Sequence, residues 1–309
     1  ALFAKENAIA LVPTLLLLEV LWFQFVGCDG KVIKWLRGTC YALIATGSIA
    51  MLSILLFRWD FLAARLHRRP FTLQERLLTE ARIVWDYVGQ LLRPQVARMG
   101  LYHDDVVLSR TVHEPLSTLY ALLAWALLVL VCGVLLRWQG GRWLVFGVAW
   151  FVLGHSVEST VLPLELYFEH RNYFAAIGLL LVVGGLFAII VKKWPEPKAP
   201  LLVCLGLCAV VLSAQTSSQV QIWSSRTLLL LNHLNAHPNS ARANIDMASE
   251  LARVGEIEAA YHYSRLAYEA SAKGAGSRER SGDHDIRDLA LSCVANAAVP
   301  AAQIDKLGK

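Results

Sequence analysis

Residues 162–173 have the sequence LPLELYFEHRNY, and residues 174–191 continue as FAAIGLLLVVGGLFAIIV, so a charged stretch leads directly into an apolar one. Another apolar segment, 143–157, precedes the charged stretch. Ionisable side chains are costly next to a bilayer, so they usually face a protein interior, a wet cavity or a ligand. The pattern therefore predicts two membrane spans joined by part of a functional site, centred on the EHRNY sequence at 169–173.

The chain has the composition of a membrane protein. Of its 309 residues 56% are hydrophobic and 17% are charged, and the mean hydropathy is +0.47. Soluble domains average roughly 45–50% apolar and 25% charged residues. The net charge of +5 is modest and the basic residues are scattered, which argues against nucleic acid as a partner. We expect an all-α protein with a polytopic helical membrane domain.

Six segments are long and apolar enough, or nearly so, to form transmembrane helices, which need about 20 mostly apolar residues. They cover residues 8–27, 40–57, 116–136, 143–157, 173–191 and 199–214. The linkers 28–39, 137–142 and 192–198 alternate with the other connections, and all three are basic. Because basic linkers face the cytoplasm, we expect an integral inner (plasma) membrane protein whose other connections and C-terminal region are periplasmic.

The connection 58–115 is too polar to cross a membrane. Within it Thr72 and Glu75 have the spacing of a helix-capping box, and apolar residues then recur at helical spacing. This pattern predicts an amphipathic helix along the outer membrane surface. Its charged residues, Arg76 and Glu80 among them, are expected on the polar face.

The last part of the chain has the composition of a soluble helical domain, which divides the sequence into a membrane domain, 1–214, and a C-terminal domain, 215–309. Residues 241–271 fit one α-helical tetratricopeptide repeat. Its signature positions are Asn244, Met247, Ala248, Leu251, Gly255, Ala260, Ser264 and Ala267. Since a lone repeat cannot bury its own face, helices near 220–236 and 285–298 are expected to stack on it.

The charged side chains of the central stretch suit an anionic ligand at the membrane surface. If 164–172 is helical, Glu165 and Glu169 lie on one face. Arg171 offers a planar fork of donors for phosphate, and His170 exchanges a proton near neutral pH. In the alternative interpretation, Glu169 and Arg171 pair with other loops and only tie two helices together.

Several stretches, in order along the chain, carry a resemblance to a known family. They are AKEN at 4–7, LVPTLLLLE at 11–19, RPFTLQERLLTEARIVWDYV at 69–88, GLYHDD at 100–105, LPLELYFEHRNY at 162–173 and the trailing repeat. Together they resemble bacterial relatives of the transmembrane O-mannosyltransferases that contain tetratricopeptide repeats. That family is similar to the C-type glycosyltransferases, multi-span enzymes that use polyprenyl-phosphate sugars. The resemblance covers essentially the whole chain and implies sugar transfer from such a donor to a hydroxyl of a protein or glycan.

The resemblance also implies roles for individual residues. The reaction needs a carboxylate to accept the acceptor's proton and cations to stabilise the departing lipid phosphate. In the superfamily that carboxylate lies in the first outer loop, which would precede Ala1, so we expect this chain to be N-terminally truncated. Glu169 and His170 are then the catalytic candidates, and Arg171 and Lys5 are the candidates for binding the donor phosphate.

Further ionisable residues at the predicted outer face are secondary candidates. They are Glu6, His103, Asp104, Asp105 and Glu158. Asp104 and Asp105 provide oxygen ligands for a divalent cation, Mg or Mn, or for an acceptor, or else belong to a solvated loop. Lys5 and Glu6 alternatively form an ordinary helix-end ion pair, and Glu158 alternatively packs or forms a hydrogen bond.

A different class of function stays open. In this alternative the chain is a non-enzymatic scaffold, in which a membrane anchor holds a tetratricopeptide-repeat domain outside the cytoplasm for envelope protein assembly. An Asp or Glu pair after a first transmembrane helix in the upstream gene sequence would favour the enzyme. Absence of that pair would favour the scaffold.

Overall fold

The computed structural model describes residues 10–66, 69, 71–193 and 198–273. Regular structure in these residues is helical, apart from an isolated antiparallel bridge between Val26 and Val32. The candidates Lys5 and Glu6, and the helix expected at 285–298, lie outside the described residues.

The helices follow one another with mostly short connections. They are α1 (Leu11–Leu18), α2 (Lys34–Phe57), α3 (Trp59–Arg65), α4 (Leu73–Leu92), α5 (Leu116–Leu135), α6 (Gln139–His155), α7 (Asn172–Lys193), α8 (Lys198–Trp223), α9 (Arg226–Ala236), α10 (Ala241–Arg253) and α11 (Ile257–Lys273). A π-helical turn at Glu19–Phe23 continues α1, and short 3-10 turns occur at Val96–Arg98 and Glu169–Arg171.

Within the described part of the chain, three helical segments are long and apolar enough to cross a membrane. They are Leu116–Leu135, Glu169–Lys193 and Pro200–Trp223, which correspond to α5, α7 with its preceding turn, and α8. The predicted spans 8–27 and 143–157 fall in shorter helices, α1 with its π-helical turn and the 17-residue α6. The predicted span 40–57 lies in the 24-residue α2. These last three spans and the membrane orientation remain predictions.

Glycine residues let α6 and α7 pack closely. A methyl group on Gly147 would lie 2.6 Å from the carbonyl oxygen of Gly178, and one on Gly154 would lie 2.8 Å from the Cα of Ala175. Neither position has room for a side chain, so the two backbones approach as they do in small-residue contacts between membrane helices. The contact fixes the start of α7, where the charged stretch ends.

Helix α4 begins at the capping box that the sequence predicts. The Thr72 hydroxyl accepts a hydrogen bond from the Glu75 backbone N–H at 3.2 Å, and the Glu75 carboxylate accepts one from the Thr72 N–H at 2.7 Å. The apolar face of α4 packs on protein rather than lying open, since Tyr87 is fully buried in a core with Phe151 and Tyr167. The helix is therefore held against α6 and the connection that precedes α7.

We expect Thr72→Ala to lower the stability of the protein by about 1 kcal/mol, because the first turn of α4 loses its side-chain cap. Thermal unfolding of the detergent-purified protein measures this as a lower midpoint. Thr227→Ala, at an exposed threonine in the first turn of α9, is the matched control. Equal midpoints for the two variants would contradict the importance of the cap.

Beyond the predicted span 199–214, helix α8 continues without a break to Trp223. The predicted domain boundary after residue 214 therefore lies inside one helix. The next helix, α9, starts after Ser225, whose hydroxyl accepts a hydrogen bond from the backbone N–H of Leu228.

Helices α10 and α11 form a hairpin at the position predicted for the repeat, 241–271. Gly255 closes the turn with a φ of +89°, a conformation that glycine adopts without the strain of a side chain. Small residues are buried on both helices. Ala243, Ala248, Ala260 and Ala267 are each at most 2% exposed, which allows the helices to approach closely.

Candidate functional site

The charged stretch is mostly irregular rather than helical. Residues 162–168 contain no helix, and only the 3-10 turn at Glu169–Arg171 precedes α7. The prediction that Glu165 and Glu169 share one helical face is therefore wrong. Glu165 instead pairs with Arg242 of α10 at 2.7 Å, whereas Glu169 contacts the loop before α5. The two carboxylates have different partners and cannot act as one helical pair.

Arg171 is buried in an ion pair. Its side chain is 4% exposed, its Nε lies 2.6 Å from Oε2 of Glu158, and its Nη1 donates to the Leu166 carbonyl at 3.1 Å. A buried pair of this kind balances both charges internally, and the low exposure leaves almost no surface for a phosphate. For Arg171, this geometry favours the alternative in which it pairs with another segment and ties helices together, over donor binding.

Arg76 and Glu80 are also buried, although the sequence pattern placed them on the polar face of α4. The Arg76 guanidinium donates to the carbonyls of Thr160 and Glu158, each at 2.7 Å, and to that of Leu164. Because this connection is irregular, its carbonyls lack helical partners and Arg76 supplies the missing donors. Burial raises the pKa of Glu80 to about 7, although Arg76 lies 3.2 Å away.

His103 and Glu169 form a carboxyl–imidazole pair at the N-terminal end of α7. The Nε2 atom of His103 lies 3.6 Å from Oε1 of Glu169, which also accepts the backbone N–H of Gly100 at 3.0 Å. Burial, and then the charge of His237, lowers the pKa of His103 to about 3, so this imidazole is neutral near pH 7. The Glu169 side chain is 28% exposed, so solvent reaches the pair from the carboxyl side.

An aromatic ring supports this pair. The imidazole of His103 stacks on Tyr167 with 4.2 Å between ring centroids, and the Tyr167 hydroxyl donates to Asp86 of α4 at 2.9 Å. His170, the other predicted catalytic residue, is exposed and its ring lies 5.0 Å from that of Phe168. The imidazole beside Glu169 is thus that of His103, which the sequence indicated only as a secondary candidate.

Asp104 and Asp105 both face the C-terminal helices. Asp105 lies 2.9 Å from Nδ1 of His237, while Asp104 accepts hydrogen bonds from the Ser240 hydroxyl and, at 3.3 Å, from the Arg242 backbone N–H. No group of three or more His, Cys, Asp or Glu side chains within the described ranges is placed to hold a metal ion. The arrangement attaches the loop to α10, and the divalent-cation site considered for Asp104 and Asp105 stays a prediction.

The partners that the GLYHDD loop finds on α9 and α10 were not predicted from the sequence. The backbone N–H of Leu101 donates to Nε2 of His233, and the Tyr102 hydroxyl donates to Asp246 at 2.9 Å. These partners are 132 and 144 residues apart in sequence, so no local spacing connects them. The signal that was present is the polar GLYHDD sequence, because its donors and acceptors need partners wherever they become buried.

We expect the contribution of His237 to stability to depend on pH. Burial opposes its protonation, but the hydrogen bond and the charge of Asp105 outweigh burial and raise its pKa above the ordinary 6.5. Its stabilising effect is therefore full below pH 6.5 and is lost as the pH rises through the raised pKa. His237→Gln should cost roughly 1 kcal/mol in mild acid and much less in alkali.

Thermal unfolding of the wild type and the variant across this pH range measures the difference. His262→Gln, at an exposed histidine of α11, is the control. A difference that grows with rising pH would contradict the assigned direction.

Comparison with known proteins gives no match: no family model, no curated protein and no solved structure matches the chain. The resemblance to the O-mannosyltransferases therefore depends on the quoted residues.

Proposed function

We propose that the protein is a membrane glycosyltransferase that moves a sugar from a polyprenyl-phosphate donor to a hydroxyl of a protein or glycan on the periplasmic side. The observation that carries the proposal is the pairing of His103 with Glu169 at the start of a candidate membrane span. A partly exposed carboxyl beside a neutral imidazole offers a proton acceptor where a lipid-linked donor and a water-soluble acceptor would meet. The family resemblance supports the same reaction.

The proposed reaction has a defined proton balance. The acceptor oxygen forms a bond to the anomeric carbon of the sugar, and the bond from that carbon to the phosphate oxygen breaks. The lipid phosphate leaves with the bonding electrons, while a base takes the hydroxyl proton. We assign Glu169 to hold the acceptor hydroxyl and receive its proton. His103 orients Glu169, and Arg171 and Glu158 hold the connection that carries it.

We further propose that the α10–α11 hairpin belongs to a tetratricopeptide-repeat-like domain that presents the acceptor. Its buried alanines suit such a repeat. Support also comes from contacts between Asp104 and Ser240 and between Asp105 and His237, which bring α10 next to the loop that carries His103. An acceptor peptide held by these helices would lie beside the proposed proton acceptor.

The proposal predicts that Glu169→Gln reduces glycosylation of the host's surface proteins by about 100-fold or more, since the amide cannot accept a proton. The measurement is the glycan occupancy of surface proteins, by mass spectrometry, in a strain whose native gene carries the substitution. Glu114→Gln, at an exposed carboxylate in the connection between α4 and α5, is the matched control. Immunoblotting establishes that all variants are equally abundant.

Unchanged glycosylation in the Glu169→Gln strain, with the protein still abundant, would show that Glu169 is not part of the catalytic site. If deletion of the whole gene also left glycosylation unchanged but impaired envelope assembly, the non-enzymatic scaffold would be the better account.

A further inference from the structure

A groove of about 570 Å³ lies between α4 and α5, and it is lined by Tyr167, whose ring stacks on His103. Its polar wall carries Arg82, Asp86 and Arg98, and its apolar wall includes Ala121 and Ala124 of the candidate span α5. The groove therefore combines charged groups with the beginning of a surface that is apolar enough for lipid.

Two guanidinium groups and one carboxylate give the groove a positive balance. Arg82 donates to the Val107 carbonyl at 2.9 Å and to the Ser109 hydroxyl at 3.1 Å, which fixes its position. The Arg98 side chain is 59% exposed and lies 3.6 Å from Asp86. Since an exposed pair of this kind is weak, Arg98 remains available to a stronger anion. Arginine suits phosphate because its planar fork donates two parallel hydrogen bonds.

An apolar stripe leads from the groove along α5. Tyr120 lines the groove, and Leu127 and Val131 follow it at seven and eleven residues, which places all three on one helix face. Their exposures are 65%, 61% and 43%. In a membrane these side chains contact lipid chains, so a ligand with a charged head in the groove can extend a hydrocarbon tail along the span.

We propose that this groove binds the phosphate of a polyprenyl-phosphate lipid, with Arg82 and Arg98 on the phosphate and the isoprenoid chain along the Tyr120–Val131 stripe. The inference rests on the proposed function and deepens it, because it moves donor-phosphate binding from the buried Arg171 to an accessible groove. Tyr167 connects the two parts. Its hydroxyl bonds to Asp86 in the groove, and its ring stacks on His103 beside Glu169.

Binding of geranylgeranyl phosphate to the full-length protein, in detergent and measured by native mass spectrometry, tests the proposal. We expect Arg98→Ala to weaken binding about tenfold or more, because it removes charge-assisted hydrogen bonds. Ala124→Trp should weaken it as well by filling the groove. Arg93→Ala, at an exposed arginine after α4 that does not line the groove, should bind like the wild type.

Three competing probes separate the chemistry of the head from that of the tail. Geranylgeraniol tests the tail alone, inorganic phosphate the head alone, and phosphatidylglycerol an ordinary anionic lipid. The proposal expects weaker binding of all three. Equal binding of any of them, or equal binding of geranylgeranyl phosphate by Arg98→Ala and the wild type, would overturn it.

Failure here is distinguishable from failure of the proposed function. Glu169→Gln should retain geranylgeranyl phosphate binding while losing transfer. If the groove variants bind geranylgeranyl phosphate normally while transfer still requires Glu169, the proposed lipid site is wrong and the proposed function stands. If binding depends on Arg98 but the protein has no transfer activity, the lipid site stands and the proposed glycosyltransferase function is wrong.

Discussion

Arg171→Ala is expected to destabilise the protein by about 3–5 kcal/mol, because it leaves the carboxylate of Glu158 buried without its partner. The ion pair is 2.6 Å long and both side chains are at most 8% exposed. Arg171 also holds the Leu166 carbonyl of the connection that leads to Glu169. Unfolding in detergent, followed by circular dichroism, measures the loss.

A double variant separates a structural pair from a ligand site. Arg171→Met combined with Glu158→Leu should recover much of the stability, since it removes both buried charges and keeps the volume. Arg142→Ala, at a partly exposed arginine near the start of α6, should change stability little. If Arg171→Ala left stability intact but abolished binding of geranylgeranyl phosphate, the sequence-based role of Arg171 as the phosphate ligand would be right and its structural role wrong.

Gly178→Ala is expected to separate α6 from α7, at a cost of about 1–3 kcal/mol or more. The added methyl group would lie against the carbonyl oxygen of Gly147 and 2.5 Å from the backbone nitrogen of Phe151. Backbone atoms cannot rotate away as a side chain does, so the helices themselves must move. The displacement would reach the start of α7 and the site beside it.

Gly184→Ala on the same helix is the control, because a methyl group there meets no atom within 4 Å. Alanine also favours a helix by up to about 1 kcal/mol over glycine, so this variant should be as stable as the wild type or slightly more stable. Equal thermal midpoints for Gly178→Ala and Gly184→Ala would show that the close approach of α6 and α7 does not determine stability.

Local patterns predicted the parts of the fold that depend on neighbouring residues. The capping box at Thr72 and Glu75, the helical nature of 73–92 and three helices long and apolar enough to span a membrane all follow from short-range spacing and apolar runs. Arg76 shows where such patterns fail. Helical periodicity indicates a solvent-facing charge, but the irregular connection before α7 needs donors for its carbonyls, and Arg76 is buried to supply them.

The candidate site was only partly predictable for a similar reason. The sequence identified Glu169, His103 and both aspartates as groups that need an explanation, but it paired Glu169 with Glu165 on a helix that does not form. The partners of the loop include His237, which follows α9, and Arg242 of α10, and they lie more than 130 residues away in sequence. Long-range contacts of this kind depend on how the helices pack, which no spacing in one sequence encodes.

Sugar transfer in isolated membranes decides whether the protein is the proposed glycosyltransferase. Membranes from cells that express the native gene are incubated with a radiolabelled polyprenyl-phosphate sugar, and the label in protein or glycan is compared with the polyprenyl phosphate released. We expect equal amounts of both products, transfer that falls about 100-fold or more in Glu169→Gln membranes, and wild-type transfer in Glu114→Gln membranes. No transfer above that of membranes lacking the gene, across the polyprenyl-phosphate sugars that the host makes, would contradict the proposed function.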